Sequence, residues 1–160
     1  MARAQDLESY RHLAAMKPDN PQFVFRQAEC LTQLSDYEQA LTLLYKLAYD
    51  NPDTLRFQRA IIQNLLLLRQ PAAAMKYVRR VLDEPSYDLS DYDLTLIGTT
   101  QWLCGERDTA IHTLAVSDTI NTSTKAGGIP LADTLQQLGI PAADLPFLLD
   151  LIRTAKRAED

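Results

Sequence analysis

The sequence predicts an all-α fold built from repeated helical hairpins. Three observations carry that expectation. Apolar residues recur at helical spacing in successive segments: Val24, Ala28 and Leu31, then Ile61, Leu65 and Leu68, then Leu94, Ile97 and Gly98. Small residues recur at a near-constant period, as Ala40, Ala74 and Ala110. The five glycines all fall from Gly98 onward, while the strong helix formers Leu, Ala and Gln are plentiful throughout.

The elements follow in chain order. A leading helix is expected over about 3–17, in a first segment spanning 1–20. Three hairpins follow within 21–117, at roughly 21–50, 54–83 and 90–117. Asp118 to Pro130 is polar, contains Gly127-Gly128, and reads as a loop, with Ser117-Asp118 as a helix end. In the final segment, 131–160, Leu131, Leu135 and Leu138 share one helical face, stopped by Gly139 and Pro141. Asp144 then suits an N-cap with Pro146 in the first turn. Leu145, Leu148, Leu149 and Ile152 form an apolar stripe, so this last pair of helices suits a cap on the stack.

The segment from Asp36 to Pro52 resembles the second helix of a tetratricopeptide repeat. It has Tyr37-x-x-Ala40, Leu44 four residues later, Leu47, and Pro52 twelve after the alanine. A small residue is needed where two helices cross, and Pro ends the helix. Ala74, Val78, Val81 and Pro85 take the corresponding places one repeat on. Ala110 and Leu114 take them again after a step of 36, with two extra residues in the stretch from Pro85 to Asp91. Ala28 and Gly98 fall where the family places its small first-helix residue, and Ile62 departs from it. Backwards, Pro21 matches Pro52, Ser9 stands where Ala40 stands, and Leu13 and Met16 fall at large core positions. The resemblance covers about residues 6 to 117. It implies a right-handed superhelical solenoid of about three hairpins with a leading half-repeat and a helical cap. It also implies a protein-protein interaction module, cytoplasmic and of bacterial type, with no catalysis.

Composition narrows the alternatives. The chain has 160 residues, room for one domain with a core. Its 46% hydrophobic and 23% charged residues argue against disorder. A net charge of -5 gives no overall attraction to nucleic acid or anionic membrane, and no apolar stretch is long enough to span a bilayer. Cys30 and Cys104 each sit among apolar residues and read as buried thiols. His12 and His112 have no ligand set beside them. Lys125-Ala-Gly-Gly128 lacks the spacing of a phosphate loop. No cofactor and no metal is expected.

The resemblance also implies where a partner binds, because first helices of such hairpins line a concave groove. By repeat phase, the groove positions are Gln22, Phe25 and Glu29, then Arg56, Arg59, Gln63 and Leu66, then Tyr92, Thr95, Thr99 and Trp102. Aromatic and Arg residues are typical of binding hot spots. The family's carboxylate clamp of Lys and Asn residues is not matched, because Phe25, Glu29, Gln63, Tyr92 and Leu96 occupy those places. From Arg56 to Arg80 there are six basic residues and no acidic one, which suggests an acidic peptide or protein partner. Two other functions are compatible with the pattern: a small chaperone similar to those of type III secretion, and an assembly element acting by self-association. The unpaired first helix makes a homodimer through the N-terminal helix one form of the latter.

Overall fold

The computed structural model describes residues 4–84, 89–124 and 130–158. Among these residues the chain is all helical: α1 (Ala4–Met16), α2 (Pro21–Gln33), α3 (Tyr37–Asp50), α4 (Leu55–Leu67), α5 (Pro71–Leu82), α6 (Asp91–Leu103), α7 (Arg107–Thr124), α8 (Leu131–Gln137) and α9 (Leu145–Ala158). Successive helices pack as neighbours from α1 to α7, α9 then packs on α7, and α8 lies against α6 and α9, building a helical solenoid.

Local chemistry starts the helices. Asn20 accepts a hydrogen bond from the Gln22 N–H ahead of Pro21 in the first turn, and Asp36 accepts one from the Gln39 N–H. Ser90 and Asp93 form a reciprocal capping box at α6.

The hairpin turns share one geometry. Ser35, Arg69, Gly105 and Gly139 all have positive φ, at 65°, 62°, 87° and 114°. After each, the next N–H reaches back to a helix carbonyl: Asp36 to Leu31 at 2.8 Å, Gln70 to Leu65 at 2.8 Å, Glu106 to Gln101 at 2.9 Å, Ile140 to Leu135 at 3.0 Å. That is a Schellman closure, which satisfies carbonyls a helix end leaves open. Its recurrence puts α8 and α9 in phase with the three hairpins before them. The large residues of the second helices agree: Leu44, Val78, Leu114 and Leu148 are each at most 1% exposed. Burying each stabilises the stack by about 2 kcal/mol. The final pair, expected as a cap, is thus also a fourth hairpin with a short first helix.

Apolar side chains gather in linked clusters. One spans α2 to α5 and takes in Leu96, Ile97 and Leu138. A second joins Trp102, Ala110, Leu114, Leu135, Ile140, Leu148 and Ile152 across α6 to α9. Ala40, Ala74 and Ala110 are fully buried, as their repeat positions require. Gly98 is required too: a Cβ there would stand 2.6 Å from Leu114 Cδ2 and Cγ.

Four expectations are corrected. The polar stretch after Ser117 is helical through Thr124, and 125–129 lie outside the described residues. Ser117 is buried and its hydroxyl bonds Thr95 and the Asp91 carbonyl, while Asp118 pairs with Lys156 at 2.7 Å. Thr119 and Thr122 donate to carbonyls one turn back. Polar residues continue this helix because their hydroxyls find partners within it and beside it. In α1, Ser9 is exposed and Leu7 is the buried residue, packed with Cys30, Leu31 and Ala40. Met16 is 64% exposed and Leu13 only half-buried, since α1 is covered by α2 on one side only among the described residues. Cys104 is exposed, because it is the C-cap of α6 and sits in the turn, while Cys30 is buried as expected.

Candidate partner-binding groove

The first helices of the first three hairpins come side by side, and a groove of about 430 Å³ opens along α2, α4 and α6. Six of the sequence-predicted residues line it: Phe25, Glu29, Arg56, Arg59, Gln63 and Tyr92. The helix period explains this, because residues three, four and seven apart share a face, and the repeat carries that face from one hairpin to the next.

The floor is aromatic and cationic. Phe25 and Phe57 lie with ring centroids 5.3 Å apart. The Arg56 guanidinium sits over both, 4.7 Å from the Phe25 centroid and 5.4 Å from that of Phe57. Each such contact contributes of order 1 kcal/mol and pins the guanidinium. The Arg56 Nε is buried without a hydrogen-bond partner. A buried donor in that state is costly and is relieved by any acceptor that reaches it.

Arg59 is engaged differently. Its Nη1 makes an ion pair with Asp93 Oδ2, joining α4 to α6. Asp93 is 6% exposed, and the same carboxylate oxygen accepts the Ser90 N–H of the capping box. One carboxylate therefore ties two helices together and starts one of them. Gln63 donates to the Tyr92 hydroxyl at 3.0 Å across the same gap. Burial raises the Tyr92 phenol above its ordinary value; the Gln63 hydrogen bond works against this and the nearby Asp93 charge adds to it. On α2, Arg26 pairs with Glu29 at 2.9 Å.

The remaining predicted positions do not join this groove. Thr95, Thr99 and Trp102 are 4%, 0% and 3% exposed, and Leu66 is fully buried. Trp102 belongs to the second core cluster, and Arg107 covers its ring at 4.6 Å. The cause is α8, which packs against α6, while α7 covers another side. Almost the whole circumference of α6 is therefore interior. Thr95 lines a smaller cavity of about 150 Å³ with Tyr92, Ser117, Leu131, Thr134 and Gln137. Gln22 is exposed and outside both. The structure adds Arg26, Asp93 and Leu96 to the groove lining. Asp93 had a signal in the sequence: it follows Arg59 by 34 residues, one repeat, and completes Ser90-x-x-Asp93.

No protein-family model matches the chain, and no curated protein matches it in sequence. Among solved structures, the fold is similar to that of a MamA RS-1 ArsTM double mutant, with a TM-score of 0.66 at 15% identity over 96% of this chain and 85% of that one. That likeness shows the fold alone, a tetratricopeptide-like helical solenoid. Among the described residues no helix is long and apolar enough to cross a membrane.

Proposed function

We propose that this chain is a protein-protein interaction module that presents the groove of α2, α4 and α6 to an acidic peptide or protein partner, and that it performs no catalysis. The observation that carries the reading is Arg56. Its guanidinium is stacked on two phenyl rings, and its buried Nε has no acceptor. A carboxylate entering the groove would meet the terminal nitrogens of this guanidinium, in a setting where the cation is already oriented by the two rings. Arg59 is the less available of the two arginines the sequence singled out, since Asp93 already holds it. Tyr92 offers exposed apolar area beside it, while Phe25 is buried beneath the guanidinium and supports it from below. Histidines do not enter this reading, as His12 on α1 and His112 on α7 lie on helices that do not pack together.

The test uses partners captured on the purified chain, followed by titration. Arg56→Ala is expected to weaken a groove ligand about tenfold or more, the loss typical of a hot-spot residue. It should also reduce the salt dependence of binding. Unchanged affinity and salt dependence in Arg56→Ala would reject the groove.

A second reading, self-association through α1, draws on the 64% exposed Met16 and the half-buried Leu13 on the outer side of that helix. Light scattering on a sizing column at high concentration tests it, and a clean monomer sinks it.

A further inference from the structure

The groove is formed by first helices. A different surface appears on the second helices α3 and α5, where repeat phase alone marked no site. There a trough of about 730 Å³ is lined by Tyr45 and Tyr49 of α3 and by Lys76, Tyr77 and Arg79 of α5. Tyr45 and Tyr77 lie 6.2 Å apart at 30°, so the two helices present a paired aromatic wall. Tyr49 is 87% exposed, and Tyr45 is 41% exposed. Tyr77 is half-buried against the main core cluster, while Tyr45 and Tyr49 stand outside it. Three clustered, accessible tyrosines are more than scattered surface apolar residues require.

The cations beside them differ from those of the groove. Arg80 is held by the turn before α4, donating to the Pro52 carbonyl at 3.1 Å and facing Asp53 at 4.0 Å. Lys76 lies 5.6 Å from the Tyr77 ring centroid. Lys76 and Arg79 are exposed and make no ion pair among the described residues. The trough therefore combines aromatic area with two cations that lack carboxylates.

We propose that the trough between α3 and α5 is a second docking surface, and that its occupant is an acidic protein segment carrying an aromatic or aliphatic side chain. The apolar side chain would lie against Tyr45, Tyr49 and Tyr77, and the carboxylates would meet Lys76 and Arg79. Charge complementarity selects this occupant. A nucleic acid strand needs a run of cations that follows its backbone, and the lining here offers two unengaged ones, Lys76 and Arg79, on a chain of net charge -5. This surface is separate from the groove, so the two can fail independently.

The probe is a fluorescein-labelled synthetic peptide, Glu-Asp-Phe-Glu-Asp-Leu-Glu-Asp, titrated with the full chain by fluorescence anisotropy. Tyr49→Ala and the double change Lys76→Glu with Arg79→Glu are each expected to weaken binding about tenfold or more, as hot-spot residues do. Because the groove would also draw an acidic peptide, the titrations are repeated on the Arg56→Ala chain, where binding should persist and the trough changes should still weaken it about tenfold. All four positions have exposed or half-exposed side chains, and unchanged thermal melts would show that the variants fold. The proposal is overturned if the peptide does not bind at all. It is equally overturned if Arg56→Ala abolishes binding while the trough variants retain it. Tighter binding of a twelve-residue oligo-dT than of the peptide would reassign the surface to nucleic acid. A concentration-dependent dimer that the trough variants abolish would reassign it to a second copy of the chain.

Discussion

Gly98 and Leu114 meet where α6 and α7 pack closely, and a single methyl group at residue 98 would stand 2.6 Å from Leu114. Gly98→Ala adds helix propensity worth about 1 kcal/mol. Overpacking a dense core costs typically about 1–3 kcal/mol. The clash involves Leu114 Cγ as well as its end, and Leu114 is fully buried, so the overpacking wins. A net loss of about 1 kcal/mol is expected in urea unfolding. Combining it with Leu114→Ala should cost less than the two separate losses together, since the residues share one space. Thiol chemistry supplies another test at this scale. Cys104 is exposed in its turn, while Cys30 is buried beneath α1. Burial raises both thiols above the ordinary value; Asp6 and Glu29 add to the rise at Cys30, and Glu106 adds to it at Cys104. Iodoacetamide should therefore modify Cys104 first in the folded chain, at a rate that climbs as pH rises through and beyond the usual thiol range. Equal labelling of both, read by mass spectrometry, would contradict the burial pattern.

Between elements, the Arg59–Asp93 pair links α4 to α6 and shares its carboxylate with the α6 cap. Asp93→Ala removes its half of the capping box, the acceptor of the Ser90 N–H, and leaves a partly buried cation. Loss of a cap costs about 1 kcal/mol. Removing one partner of a fully buried pair costs about 3–5 kcal/mol, and Arg59 retains 21% side-chain exposure, so the ionic part falls below that range. A total of about 2–3 kcal/mol is expected in denaturant unfolding. Asp93→Asn should fall between, because its amide oxygen still accepts the Ser90 N–H. The turn after α8 offers a comparison. Gly139 has φ of 114°, and an added Cβ would lie 3.2 Å from Arg69 Nη1, which donates to the Gln137 carbonyl at 3.0 Å. Gly139→Ala is expected to cost about 1–2 kcal/mol through backbone strain. It should also loosen the contact by which the second hairpin holds the end of α8.

Across the whole molecule, stability should be distributed as in other linear repeats, where each hairpin depends on its neighbours. The final hairpin is held by α6 and α7, with Arg69 and the first core cluster reaching the end of α8. Leu148→Ala removes a fully buried side chain from that hairpin and should cost about 2–4 kcal/mol. Hydrogen exchange should show the loss concentrated in α8 and α9, with α3 and α4 near wild-type protection. Uniform loss across all helices would mean that the stack unfolds as one cooperative body instead.

The amino-acid sequence by itself determined the helices, the hairpin order and the repeat phase, because these depend on local spacing. Ala40, Ala74 and Ala110, the apolar faces and the helix stops are all readable along one chain. The same phase located Phe25, Glu29, Arg56, Arg59, Gln63 and Tyr92 on the face that forms the groove. It failed at Thr95, Thr99 and Trp102, because phase states which way a residue points along its own helix and not what packs there. Only the tertiary structure decided that α8 covers α6, that Asp93 occupies Arg59, and that the polar turns after Ser117 remain helical against their neighbours. It alone also brought Tyr45, Tyr49 and Tyr77 beside Lys76 and Arg79. Those outcomes depend on contacts between helices distant in sequence, where a burial or an ion pair exists only once both partners are in place.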